Sequence, residues 1–392
     1  MNNYPPWPIF EEDEITAVLN VLESGKVNQW TGAEVVSFEK EFAEYLGAKH
    51  AIALANGSVA LDVALSILGI GSGDEVVVTP RSFVASASCI VLRGATPVFV
   101  DVDPVSQNIT AQAVKNAISS KTKAVIAVHL AGWPCEMEAL KALCSGEGVY
   151  LIEDCAQAHG AKIGGKPAGS FGDFAAFSFC QDKIMTTGGE GGMLVTDSEE
   201  LWRRAWSFKD HGKDYDAVFH HEHPDGFRWL VKSFGTNYRM TEMQAAIGRI
   251  QLRKLDAWVA KRRRLASILT EGFKEFEALR VTCPPEHVYH SYYKYYVFVH
   301  PGKLNKGWSR DRIPALLAGN GIPCGTGICP EIYLEKAFQG CEWKTGRGGR
   351  KRLDVSRQLG ETSLMFQVHP TLEEYDMHYI VEQMADVLRD IS

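Results

Sequence analysis

From Glu34 onward the apolar positions of the chain follow two alternating periods. Val35, Phe38, Phe42 and Tyr45 recur at helical spacing and Gly47 follows, which predicts an amphipathic helix from Glu34 to Leu46 with a glycine stop. His50 to Leu54 is a short apolar run and reads as a strand. Asn56-Gly57-Ser58 then leads into a helix from about Val59 to Leu68. The alternation repeats, with strands at Glu75 to Thr79, Pro97 to Asp101, Ala124 to His129 and Val149 to Ile152. Helices fall between them at Ser82 to Leu92, Ala111 to Ser119 and Glu136 to Cys144. Phe174 to Phe179 and Met193 to Val195 add two more buried runs. Strands alternating with helices imply crossover connections, hence an α/β fold with a mostly parallel sheet and helices on both faces.

After Val195 the rhythm changes. Ser198 to Phe208 predicts a helix with Trp202 and Trp206 on one side, and Lys209 to Gly235 has little periodicity. A long helix follows from about Thr241 to Leu269. The remainder holds an aromatic strand (Tyr292 to His300), a helix from Arg310 to Ala318 and a terminal helix from Leu372 to Asp390. This predicts a large domain over 1–255 and a smaller α+β domain over 256–392, linked by the long helix.

Composition removes several functions. The chain has 392 residues and a net charge of −7, which argues against a nucleic-acid or anionic-membrane partner. No apolar run approaches the roughly 20 residues of a membrane span. Glu11 to Glu14 stand where a targeting segment needs basic and apolar residues. Nine scattered cysteines without a CxxC pair point to a reducing, cytoplasmic setting, with neither a disulfide framework nor a zinc site. The His220, His221, His223 cluster around Glu222 fits no metal motif, so no metal is expected.

Ligands of such sheets bind beyond the carboxyl ends of the strands, and three marked places fall there. Asn56-Gly57-Ser58 opens a helix, where free N–H groups and the dipole favour an anion, or simply an ordinary N-cap. Glu153-Asp154 ends a strand, with Gln157 and His159 just after it. His159 is a candidate acid or base, or a member of a core network. Ser178 ends the Phe174 run, and Lys183 follows it, ahead of four glycines within the five residues from Gly188 to Gly192. Read alone, Lys183 is either a hairpin surface lysine or a Schiff-base nucleophile. Together, a strand-end lysine, a strand-end carboxylate and a helix-start anion site are what pyridoxal 5′-phosphate (PLP) requires. The lysine forms the imine, the carboxylate keeps the pyridine nitrogen protonated, and the helix start takes the phosphate. Phe83 is placed to stack on the ring.

These blocks make the chain resemble the DegT/StrS-type nucleotide-sugar aminotransferases, of PLP fold type I. The similarity runs from Trp30-Thr31-Gly32 to His369-Pro370. It passes through Asn56-Gly57-Ser58, Glu153 to Gly160, Phe177-Ser178-Phe179, Lys183 with Thr187 to Gly192, Gly235 to Met240 and Gln244 to Gly248. The resemblance implies an aspartate-aminotransferase-like three-layer large domain with a smaller C-terminal one. It implies PLP held covalently by Lys183, Asp154 at the pyridine nitrogen and Gln157 on the phenolic-oxygen side. Gly57, Ser58 and Ser178 would hold the phosphate, and Phe83 would stack. Asn237, with Arg239, would reach the site of a neighbouring subunit in a homodimer, and Trp30, Arg239 and Tyr333 would meet substrate. The implied reaction transfers an amino group, with glutamate as donor, to a nucleotide-linked 3- or 4-keto-6-deoxy sugar, in the making of an amino sugar for lipopolysaccharide, O-antigen or another polysaccharide. A dehydratase or lyase and a non-catalytic regulatory member are the alternatives. One branch of the family carries histidine in place of the lysine, and Lys183 favours aminotransfer. Two features depart from the pattern. Cys329-Pro330-Glu331-Ile332-Tyr333 stands where many members have Pro-x-x-His, and the His211 to Gly235 segment is long.

Overall fold

The computed structural model describes residues 4–391. Seven strands of the main sheet follow chain order: β1 (His50–Leu54), β2 (Glu75–Val78), β3 (Thr96–Phe99), β4 (Thr122–Val128), β5 (Tyr150–Asp154), β6 (Phe174–Ser178) and β7 (Gly192–Thr196). Their spatial order is β1-β7-β6-β5-β4-β2-β3, and Lys344–Thr345 from the C-terminal part adds an eighth strand beside β3. All neighbours pair in parallel except β7, which runs antiparallel to both β1 and β6. The carboxyl ends of β1, β2, β5 and β6 therefore share one edge.

Alternate side chains bury on opposite faces, as a pleated strand requires. Val76, Val78, Ile126, Ile152 and Phe174 pack towards Ala60, Leu61 and Ala64 of the helix Gly57–Ile67. Val77, Val125 and Leu151 pack on the other side with Met137 and Leu140 of Met137–Glu147. Further along that face Phe177, Met193 and Val195 meet Phe38, Phe42 and Leu252. Each such buried aliphatic or aromatic side chain contributes about 1.5–3 kcal/mol.

The helix Glu34–Leu46 and the strand His50–Leu54 match the residues predicted for them. A helix at Glu12–Ser24, ahead of any predicted element, is closed by a capping box between Glu11 and Glu14. The long helix spans Glu242–Lys274, 33 residues, capped by Thr241 and Gln244, and runs straight through position 255. Beyond it an antiparallel sheet orders Leu279–Val281, Tyr295–Val299, Ser363–Phe366 and Cys324–Gly325, covered by helices Ile313–Gly319 and Glu374–Ile391. The C-terminal part also returns to the large core, because Ile332, Tyr333 and Phe338 are buried with the residues of β2 and β3. No helix among the described residues is long and apolar enough to cross a membrane.

Candidate active site

A cavity of about 540 Å³ opens at the shared strand edge, and its walls include Gly57, Ser58, Phe83, Asp154, Gln157, Ser178 and Lys183. Seven residues chosen from separate stretches of sequence thus meet in one place. Ser82, Ser86, Asp182, Glu190, Tyr293 and Ile328 join them.

The anion end is built by β1 and its helix. Asn56 caps the helix by accepting from Val59 N at 2.9 Å, which leaves the Gly57 and Ser58 amides at the positive end of the dipole. Gly57 lies so close to the end of β6 that a Cβ there would sit 2.6 Å from the Ser178 Cβ. That contact keeps the Ser178 hydroxyl beside the helix start.

The carboxylate end is built by β5. Asp154 Oδ2 accepts from Ser86 Oγ at 2.6 Å, and Oδ1 accepts from Ala156 N at 3.1 Å. Ser82 Oγ lies 2.9 Å from Ser86 Oγ and extends the chain of hydroxyls. Gln157 Oε1 accepts from Ala131 N at 2.9 Å, across a turn where Ala131 takes a φ of 58°. Its amide nitrogen is left to meet an oxygen in the cavity. Phe83 is 61% exposed and free to lie on a ring.

Lys183 Nζ donates to the Tyr293 hydroxyl at 3.3 Å and lies 3.3 Å from Asp182 Oδ1. Its main-chain carbonyl accepts from Trp7 Nε1 at 2.8 Å. Two of the glycines after it are required by close packing. A Cβ at Gly191 would strike Thr187 Oγ1, and one at Gly192 would strike the Asn56 carbonyl. Only Glu190 of that run lines the cavity.

Five expected residues stand elsewhere. His159 is buried under the cavity, with its ring 5.6 and 5.7 Å from those of Phe177 and Phe179. Burial, and then the Lys183 charge, pull its pKa down to about 3, so the ring is neutral. It packs against these rings and does not line the cavity. Tyr333 is 3% exposed, stacked on Trp343 and bonded through its hydroxyl to Glu331 at 2.6 Å, so it belongs to the core and not to a substrate surface. Asn237 and Trp30 do not line the cavity of their own chain. Trp30 packs on Phe219 and Trp206, with Lys213 Nζ 4.1 Å from its ring centre. Arg239 is tied back by Asp210 at 2.9 Å, with 14% of its side chain exposed, and is not presented to this cavity. The long segment after His211 exposes Phe227, Trp229 and Phe234. His220 pairs with Asp216 and His223 meets the Ala217 carbonyl, so the histidines do not converge.

Sequence reasoning missed Ser86, Asp182, Tyr293 and Trp7. Asp182 adjoins Lys183 and Tyr293 lies in the predicted aromatic strand, so each carried a signal. Nothing local marks Trp7.

The residues fit PLP by their own chemistry. A helix start with free amides meets a serine hydroxyl, a carboxylate is held by two donors, an aromatic is exposed and a lysine lies in the same cavity. The sequence model of the DegT/DnrJ/EryC1/StrS aminotransferase family matches residues 8–385. An aminotransferase structure from Psychrobacter cryohalolentis is 51% identical, covers 99% of both chains and superposes with a TM-score of 0.95. GDP-perosamine synthase of Vibrio cholerae is 41% identical over 261 residues, 67% of this chain and 68% of that protein. A pleiotropic regulatory protein of Geobacillus stearothermophilus is 35% identical over 92% of this chain and 91% of its own. The chain belongs to the DegT/DnrJ/EryC1/StrS aminotransferase family and is a PLP-dependent aminotransferase.

Proposed function

We propose that this enzyme moves an amino group from an amino acid, glutamate by preference, to the ketone of a nucleotide-linked 3- or 4-keto-6-deoxy sugar. The observation that carries the reading is the meeting of Lys183, Asp154, Gln157, Ser178 and the Gly57-Ser58 helix start around one cavity. The similarity to a GDP-perosamine synthase supports a nucleotide sugar as acceptor.

Bound PLP supplies an electron sink that labilises a proton on the carbon bearing nitrogen. Lys183 would be the group that holds it through its amine and would carry that proton. Asp154, fixed by Ser86 and Ala156, offers a carboxylate to a protonated ring nitrogen. Gln157 orients the ring from the oxygen side, and Phe83 covers its face. The Gly57 and Ser58 amides with the Ser178 hydroxyl receive the phosphate. Asn237 and Trp30 lie away from their own cavity, and this supports a homodimer in which each serves the neighbouring site. Such an enzyme works in the cytoplasm, where amino donors are abundant.

The test is Lys183→Ala. The variant is expected to keep the wild-type circular dichroism and lose turnover of glutamate with a panel of nucleotide keto-sugars. Undiminished formation of 2-oxoglutarate by that variant refutes the mechanism. Mixing Lys183→Ala with Asn237→Ala chains is expected to restore part of the activity through hybrid dimers, and a fully active monomer excludes shared sites. A sugar product that lacks an amino group indicates dehydration instead.

A further inference from the structure

Lys183 stands among charged groups that its proposed role leaves unused. Asp182 Oδ1 lies 3.3 Å from Lys183 Nζ. Asp182 Oδ2 accepts the Tyr293 hydroxyl and lies 3.9 Å from Lys294 Nζ. Both ammonium groups also sit over the Tyr293 ring, 4.9 Å (Lys183) and 4.6 Å (Lys294) from its centre. Lys294 exposes 13% of its side chain and donates to Gln367 Oε1 at 2.8 Å. Behind them Arg262 is buried, donating to the Tyr292 and Tyr293 carbonyls at 3.4 Å, with Nε and Nη2 unpartnered. Three cations thus converge on one carboxylate and one phenol.

Crowding of this kind is unfavourable unless the carboxylate stays in place, because a buried ammonium needs a counter-charge. Asp182 is half exposed and meets Lys183 within its own loop. From outside the loop, Tyr293 and Lys294 meet its carboxylate. Lys294 is fixed in turn by the neutral Gln367, so it can face Asp182 whether or not Lys183 does.

We propose that Lys294 is a positioning residue that holds the Asp182 carboxylate beside Lys183, giving the Lys183 amine a fixed resting partner whenever the cofactor releases it. This rests on Lys183 being the cofactor lysine. While Lys183 is engaged, Lys294 keeps Asp182 from turning to solvent. Once Lys183 is free, its amine returns to the same carboxylate and the same phenol oxygen and does not wander in the cavity.

The charges agree with the geometry. Burial tends to raise the Asp182 pKa, but Lys183, the Tyr293 hydroxyl and Lys294 outweigh it and hold the carboxyl below its usual range. Burial lowers Lys294 most. Asp182 opposes this, Arg262 and Lys183 add to it, and the result is about 8. The other titratable neighbour is His369, kept neutral by burial, Arg262 and Lys294. The grip on Asp182 therefore weakens as pH rises past about 8.

Amine-reactive labelling of the chain without cofactor, read residue by residue by mass spectrometry against pH, tests the cluster directly. Lys294 is expected to reach half-reactivity near pH 8. Lys183→Ala should move that midpoint up, because a like charge is gone, and Asp182→Asn should move it down. A midpoint that neither substitution moves overturns the proposal. In the loaded enzyme, Lys294→Gln should lower kcat about tenfold, roughly 1.4 kcal/mol, with little change in KM. Lys294→Arg, which keeps the charge, should restore most of kcat and abolish the fall above pH 8. An unchanged kcat in the Gln variant, or equal losses in both, also overturns it. Failure of the chain to take up PLP would instead sink the proposed function, and the labelling result is independent of that.

Discussion

The indole N–H of Trp7 donates to the main-chain carbonyl of Lys183 at 2.8 Å, across 176 residues of sequence. Trp7 is wedged edge-on against Trp258 at 5.2 Å and parallel to His369 at 6.1 Å, with the Arg262 guanidinium 5.1 Å from its ring. Thr371 Oγ1 donates to the Pro6 carbonyl at 3.0 Å and ties down the same strap. The N-terminal segment therefore clamps the backbone of Lys183, the proposed cofactor lysine, to the long helix and to the C-terminal part. Trp7→Phe keeps an aromatic ring and removes the donor. It should cost about 1 kcal/mol, seen in urea denaturation, and weaken PLP binding about fivefold by absorbance titration. Wild-type values in both would show that the clamp does not position Lys183.

Gly57 is required by contact, not by an unusual φ. A Cβ there would lie 2.6 Å from the Ser178 Cβ and 3.0 Å from its Cα, so helix start and strand end must separate to admit it. Overpacking of this kind costs about 1–3 kcal/mol. Gly57→Ala is expected to lower the melting temperature by several degrees and PLP affinity at least about tenfold. Ser58→Ala should lower affinity while leaving the melting temperature near wild type. If Gly57→Ala binds PLP normally, the close approach has no bearing on the phosphate site.

The strand ends were readable because their signals are local. An apolar run followed by Asp154, or by Ser178 and then Lys183, shows in a few residues, and a glycine stop showed the end of the helix at Leu46. What needed the structure joins distant residues. The Lys183–Tyr293 bond spans 110 positions, and nothing near Trp7 announces its partner. The direction of β7 was equally hidden, since an apolar run carries no sign of which way it runs. The helix Glu12–Ser24 escaped because its apolar side, with Ile15, Leu19 and Leu22, is about half exposed and only weakly patterned. Tyr333 was read from its place in a family motif, which says nothing of burial.

Three buried histidines set a pH dependence of stability. Burial is the first cause in each case. The Lys183 charge adds to it for His159, Arg263 for His290, and Arg262 with Lys294 for His369, and each pKa falls to about 3. The unfolded chain takes up these protons near pH 6.5 and the folded chain does not. Stability is therefore unaffected by them above that pH and falls as pH drops from about 6.5 towards 3. Each histidine contributes a slope of up to about 1.4 kcal/mol per pH unit. Urea denaturation at pH 7, 6 and 5 should show this decline, and His159→Gln should flatten it by about one histidine's share. A slope identical to wild type would mean that His159 is not held neutral.

Tyr333 and the sugar can be separated by one hydroxyl. Its oxygen donates to Glu331 Oε1 at 2.6 Å and accepts from Leu353 N at 3.0 Å, while Arg352 Nε holds the same Glu331 oxygen at 3.0 Å. Tyr333→Phe leaves the Leu353 amide without its acceptor and Glu331 with one donor fewer, at a cost of about 1–3 kcal/mol. The ring still stacks on Trp343, so the fold persists. The expected result is a lower urea midpoint with unchanged KM for the keto-sugar. The opposite pattern, a raised KM at wild-type stability, would return Tyr333 to the substrate surface and require the Glu331–Tyr333 segment to open in the working enzyme.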